Sequence, residues 1–370
     1  MFAFFRNRLR YAFMTYDLDT LPIEHLFLPV ASATAALARL DERLACSPIR
    51  EGFLERMHMH DATASVWLEG DLVHLEDLVL HDALMDNRTP SHAITIAHAV
   101  VRMRRQITSR KSDWALSQSG MQQLLGRNFE LSNQEFRTDS DRLEDEVDPL
   151  LDDIDALLAR TDLLLSGGAA EKRKRVNTDT QALLMDEDWD EEARLQEWRD
   201  CFSKTASLPP ILRAAIMHDA WYSLEVVQRS AWIGRLFTAA YLRQAGIAAH
   251  HLPVISVGLR SKRPDERRSQ NRLLRLETFL SAIEENAQLA MKEHDRLMLA
   301  REQMQRKLKG RRSNSRLPQL VEMLMRHPLV SSQMVEKELG VTQQGALKLI
   351  ADLNVREITG RGRFRAWGIF

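Results

Sequence analysis

At 370 residues, 44% of them hydrophobic and 28% charged, the chain is long enough for two domains with substantial cores and has the composition of a globular protein rather than a disordered or fibrous one. Its formal net charge of -1 hides an asymmetry: from Arg301 onward 14 lysines and arginines stand against 6 aspartates and glutamates, so a basic end follows an acidic body. Two cysteines, Cys46 and Cys201, exclude a disulfide framework, and neither a membrane-spanning window nor a cleavable leader is evident, so a cytoplasmic chain with no membrane partner is expected.

Residues 1–30 are apolar but weakly periodic and read as an N-terminal arm. From Ser32 to Ala45 the chain is a strong helix former with Leu37, Leu40 and Leu44 on one side, stopped by Ser47-Pro48. Ile49 to Met59 reads as the next helix, and Asp61 to Asp71 as a compact mixture of small and apolar residues closing on Leu68-Glu69-Gly70-Asp71. Leu75, Leu78, Val79 and Leu84 form another apolar face. Thr89-Pro90 then leads into a helix from Ser91 to about Ile107. His74, His81, His92 and His98 lack the carboxylate spacing of a His-Glu-x-x-His site, so they read as ordinary histidines and no metal is expected.

The run from Phe136 to Asp155 holds nine carboxylates but neither the alternation nor the glycine of a calcium loop, and reads as a solvated acidic face. A flexible linker near 166–180, with the basic block Lys172 to Arg175, divides the body. Trp189 to Phe202 suggests an amphipathic helix. Pro209-Pro210 starts another that turns Leu212, Ala215, Ile216 and Trp221 inward, and Ile233, Leu236, Ala239, Ala240 and Leu242 line a third. Pro253 to Gly258 reads as a short extended segment, and Pro264 to Leu308 as one or two long helices. The body thus covers 31–308, and 309–316 is a basic connector whose Arg311 and Arg312 can reach nucleic-acid backbone.

Residues 317–370 give the clearest reading. Leu317, Leu320, Val321, Leu324 and Met325 recur at helical spacing and His327-Pro328 ends that helix. Ser331 or Ser332 can cap a second helix, which Gly340 terminates, and Thr342 can cap a third that carries Ala346, Leu347, Ile350 and Leu353 inward. Glu357 to Phe370 reads as a hairpin with its tip near Gly360-Arg361-Gly362, and Arg361, Arg363 and Arg365 recur with period two on one face. This is a helix-turn-helix with a wing. Thr342, Gln343, Gln344 and Lys348 are the early exposed positions of the third helix, where glutamine can read adenine edges and lysine guanine or phosphate. The wing arginines would hold phosphate or enter the minor groove. A helical domain of this kind can instead pack against protein.

Two stretches of the body resemble the Fic superfamily of nucleotidyl transferases. Ser65-Val-Trp-Leu-Glu69-Gly70-Asp71 is similar to that family's inhibitory helix, with Asp71 where asparagine is usual. Gly234 to Arg243, followed by Leu252-Pro253, resembles the helix after its catalytic loop. The resemblance places the catalytic histidine at Leu224, the metal-binding acid at Gln228, the asparagine at Ser230 and the first arginine at Trp232; the second arginine survives as Arg235. Leucine cannot accept a proton and glutamine lacks the anionic charge for a divalent cation. The resemblance therefore implies a mainly α, Fic-like helical body without catalytic residues or cofactor, in which Arg235 and Glu69 remain as a nucleotide-binding remnant, with His218 as the nearest substitute base. The whole arrangement also resembles a group of rhizobial proteins in which a domain of unknown function precedes a DNA-binding helix-turn-helix.

The expectation is a regulator that binds double-stranded DNA as a homodimer, with a small-molecule or nucleotide effector. Nucleotide transfer by unconventional residues, or a protein-assembly module whose end domain docks protein, are the alternatives.

Overall fold

The computed structural model describes residues 16–18, 21, 23–85, 89–126, 189–308, 315–358 and 365–369. The acidic run at 136–155, the linker at 166–180, Arg311, Arg312, Arg361, Arg363 and Phe364 lie outside the described residues. No helix among the described residues is long and apolar enough to cross a membrane.

The body is built on a long helix, α11 (Arg272–Leu308, 37 residues), against which α1 (Ile23–Ala45) packs. Contacts run from Tyr16 under Arg272 to Arg43 on Asp295, so the two helices run in the same sense. Helix α1 starts at Ile23, inside the stretch expected to be an arm. Pro29 falls in its second turn, where the missing amide proton costs one helical bond.

Helix α2 (Arg50–Leu68) occupies the centre, and one helix replaces the helix-plus-mixture expected there. It has no polar stripe because it is covered on nearly all sides: Phe53, Met59, Ala62, Ala64 and Val66 are buried, and so are Arg56, His58, Asp61 and Ser65. Such polar groups persist only with partners. Asp61 has two: Arg104 Nη1 donates to Oδ2 at 2.6 Å, and the Ser256 amide donates to Oδ1 at 2.8 Å. Arg104 comes from α4 (His92–Ser109), which begins one residue after the expected start because Ser91 serves as its cap. Ser256 lies in the first turn of α9 (Ile255–Arg260), so the segment expected to be extended is a short helix whose orphan amide is satisfied by Asp61 from α2. Before α4 comes α3 (Leu75–Asp82); after it come a 3-10 turn at Trp114–Leu116 and α5 (Gln118–Leu124).

Three helices complete the hydrophobic centre: α6 (Glu191–Lys204), α7 (Pro210–Ser223) and α8 (Ile233–Gln244). Their core is aromatic. Trp198 meets Trp221 edge-on, with ring centroids 5.2 Å apart, and each indole N–H is satisfied, by the carbonyls of Met217 and Ala231 respectively. The short α10 (Pro264–Arg267) precedes α11.

The C-terminal unit contains α12 (Leu317–Arg326), β1 (Val330–Ser331), α13 (Ser332–Leu339), α14 (Gln343–Leu353) and β2 (Ala366–Trp367). Strands β1 and β2 are antiparallel, with Val330 opposite Trp367. Glu357 bridges to Trp367 on the other side, and Ile358 N donates to Ala366 O at 2.9 Å, which forms the base of the expected hairpin. Ser331 caps α13 through a bond from Met334 N, and Gly340 ends it at φ +63°, a left-handed turn that suits glycine.

Candidate nucleic-acid interface and the cleft in the body

The turn at Gly340 delivers the chain to Thr342, whose Oγ1 accepts the Gly345 amide proton at 3.2 Å and so caps α14. Ala346, Ile350 and Leu353 are buried against α12 and α13, which leaves Thr342, Gln343, Gln344 and Lys348 together on the exposed side. At eleven residues α14 is about 16 Å long, enough for the floor of a major groove. Its far end abuts the body, where Lys307 Nζ donates to the Leu353 carbonyl at 2.6 Å and caps a helix C-terminus with a cation.

Arg365, the one wing arginine among the described residues, is committed within the hairpin. It binds Glu357 with contacts of 2.6 to 3.0 Å and lies over the Trp367 ring at 5.2 Å. Its hydrogen bond to Glu357 raises the guanidinium pKa and lowers that of the carboxyl. Period-two spacing placed Arg365 on the exposed face and Ala366 inward, as found, but could not show that Glu357 occupies the charge.

The C-terminal unit is seated on the body by a residue that sequence reasoning missed. Arg56 of α2 is 2% exposed and donates to the carbonyls of Leu324, Met325 and His327 at 2.9 Å each, to Gly52 O at 2.8 Å and to Ile369 O at 3.4 Å. These include the carbonyls left without partners at the end of α12. The sequence signal was weak: an arginine among the many polar residues of a helix without a polar stripe. Arg301 with Glu322, at 3.2 Å, adds an ion pair from α11.

At the other end of α2 lies a cleft of about 1020 Å³. Arg235 from α8 reaches into it and is nearly buried. Its Nη2 donates to Ser65 Oγ at 2.9 Å and Glu69 Oε1 at 2.8 Å, and its Nη1 to Tyr222 Oη at 2.5 Å. Burial opposes its charge, but Tyr222 and Glu69 outweigh that and raise its pKa. The two residues expected to form a remnant therefore meet, joined by Ser65 and Tyr222.

Leu224 caps the end of α7 and is 2% exposed, and Trp232 is 6% exposed, so apolar side chains fill two positions the resemblance assigns to polar groups. Gln228 lines the cleft. Between them Glu225 and Ser230 take left-handed φ values of 48° and 57° without being glycine. His218 stacks on Phe279 at 4.6 Å; burial, reinforced by Arg235, pushes its pKa down to about 3, so it is neutral near pH 7. Four buried polar atoms on the cleft lack partners among the described residues: Trp189 Nε1, His218 Nδ1, Arg235 Nε and Arg267 Nε. Asp219, also on the cleft, is held by Arg275 at 2.6 Å and by Tyr16 Oη at 2.6 Å.

The described residues from 317 onward define the class: a helix-turn-helix with a small two-stranded element of the winged-helix kind. A family profile described as an HTH DNA binding domain matches residues 317–370, so the chain carries a DNA-binding domain at this end. A second profile, for a protein of unknown function (DUF1612), matches residues 183–309. The chain belongs to the family of protein y4cF from Sinorhizobium fredii (strain NBRC 101917 / NGR234), to which it is 42% identical over 96% of its own length and 100% of the relative's. A Fic family protein from Desulfovibrio desulfuricans G20 aligns with a TM-score of 0.48 and 11% identity, covering 95% of this chain and 97% of that one.

Proposed function

We propose that the protein is a sequence-specific transcription regulator that acts on double-stranded DNA as a cytoplasmic homodimer. Gln343 and Gln344 read base edges, Thr342 and Lys348 fix the helix in the major groove, and Arg311, Arg312, Arg361, Arg363 and Arg365 supply backbone contacts. The observation that carries this reading is the clustering of the four α14 residues on the exposed side of a helix whose other face is buried. Dimerisation follows from the limited surface of one small reader and the two-fold symmetry of typical sites. Selection from a random duplex pool, followed by salt-titrated anisotropy with the enriched duplex, tests it. Enrichment of one motif supports the reading, and a folded chain that enriches nothing at low salt refutes it.

The body, in this reading, is a degenerate Fic-like fold that binds a small anionic effector, such as a nucleotide, without turning it over. Unpartnered N–H groups of Arg235, Arg267 and Trp189 on one cleft support a ligand rich in acceptors. Leucine at 224 and glutamine at 228 remove the base and the anionic metal ligand, and a histidine as weak as His218 is a poor replacement base. Incubation with labelled ATP and divalent cations should leave no label on protein, and transferred label that disappears in Arg235→Ala would overturn the silent-body reading.

A further inference from the structure

Helix α2 is held at both ends by arginines. Near its start Arg56 reaches out of the helix to grip the reader's carbonyls, and near its end Ser65 and Glu69 receive Arg235 from α8. Midway, Asp61 is tied to Arg104 and to the Ser256 amide. From Arg56 to Ser65 the helix rises about 13 Å, with no glycine or proline to bend it. At the reader end α2 leaves no slack, because Gly52 has no room even for a methyl group beside the Met325 carbonyl. A turn or slide of α2 must therefore move α12.

The two ends differ in access. Arg56, Asp61 and Arg104 are buried, whereas the Glu69 side chain is 37% exposed at the mouth of the cleft. The Arg235–Glu69 clasp is thus the point where an event in solvent can act on the helix. In this structure the clasp is closed, and Thr342, Gln343, Gln344 and Lys348 are all exposed.

We infer that α2 is a rigid link through which the Arg235–Glu69 clasp sets the orientation of the DNA reader, with Arg56 as the positioning residue at the reader's end. This rests on the DNA-binding reading but not on any ligand in the cleft. Opening the clasp withdraws one anchor of α2; the helix settles differently against α9, and the reader, gripped by Arg56, follows. Coupling of this kind works in both directions, so DNA binding also tightens the clasp.

The test is a double-mutant cycle on the full chain, using the enriched fluorescent duplex at one fixed salt concentration. Glu69→Ala opens the clasp. Arg56→Lys keeps the charge but replaces five donors in a planar fork with three on one ammonium, which cannot reproduce the five carbonyl contacts. Arg301 and Lys307 still tie the reader to α11, so this variant reports orientation rather than detachment. Each single variant is expected to weaken binding about fivefold, and the double variant no more than Arg56→Lys alone. Wild-type affinity from Glu69→Ala, or two effects that multiply, overturns the proposal; wild-type binding in the same assay shows that the DNA reading itself stands. If Arg56→Lys melts at the assay temperature, hydrogen exchange in Glu69→Ala decides. Faster exchange of the His327 amide, which bonds to Met323 O, supports the link, and unchanged exchange there refutes it.

Discussion

Gly52 and Met325 touch backbone to backbone across the seam between body and reader: a Cβ built on Gly52 would stand 1.7 Å from the Met325 carbonyl oxygen. Neither chain segment can yield by rotating a side chain. Gly52→Ala should therefore destabilise the protein by about 1–3 kcal/mol, read as a lower urea midpoint, and should increase proteolytic cleavage between α11 and α12. An unchanged midpoint would mean that the seam is looser than this contact implies.

The Asp61–Arg104 pair is at most 2% exposed on either side and is hydrogen-bonded to surrounding backbone. Removing one charge strands the other in a dry interior. Asp61→Asn is expected to cost about 3–5 kcal/mol in equilibrium unfolding, whereas the solvent-exposed pair Arg263–Asp265 should cost under about 1 kcal/mol when broken.

On the reader, two substitutions should separate two kinds of contact. Lys348→Ala should weaken all duplexes alike and lower the salt slope by about one if the ammonium meets phosphate. Gln343→Ala should instead compress the difference between the preferred site and its single-base variants by about 1–3 kcal/mol, with the salt slope unchanged.

The wing arginines should not be equivalent. Arg365 already serves Glu357, so Arg365→Ala should affect affinity less than Arg361→Ala or Arg363→Ala, measured in the same salt titration. Glu357→Gln, which frees the Arg365 charge, should strengthen nonspecific binding and steepen its salt dependence.

Several histidines are held neutral by burial: the pKa of His218 falls to about 3, that of His58 well below its usual value, and those of His60 and His251 also fall. The unfolded chain takes up these protons near pH 6.5, so their contribution is intact above that pH and is lost as pH falls below it. Each such histidine should steepen the loss by about 1.4 kcal/mol per pH unit. His218→Asn should flatten the slope of unfolding free energy between about pH 6 and pH 5 by about one proton. The carboxylates Asp41 and Asp82 act lower down: burial is outweighed by hydrogen bonds from His250 and His251 to Asp41 and from His98 and Arg105 to Asp82, which hold each near 2, so their contribution fades only below about pH 4.

What was legible in the sequence was local. Leu317 to Leu353 announced three helices through spacing, a proline stop, two hydroxyl caps and one glycine, because each of those signals acts within a few residues. The meeting of Arg235 with Glu69 was legible only through a family resemblance, since 166 residues separate them. Helix α9 was misjudged as extended because its cap is Asp61, from another helix. Arg56 was missed for the same reason: its meaning lies in carbonyls 268 to 313 residues away, and nothing in its neighbours foretells them.

The bond between Asp61 and the Ser256 amide also sets a timetable. These groups lie 195 positions apart, so at about 5–20 residues per second the carboxylate leaves the ribosome some ten to forty seconds before the amide it will hold. During that interval α2 carries an ionised group meant for an interior that does not yet exist. The nascent body therefore cannot close this contact until Ser256 has left the ribosome.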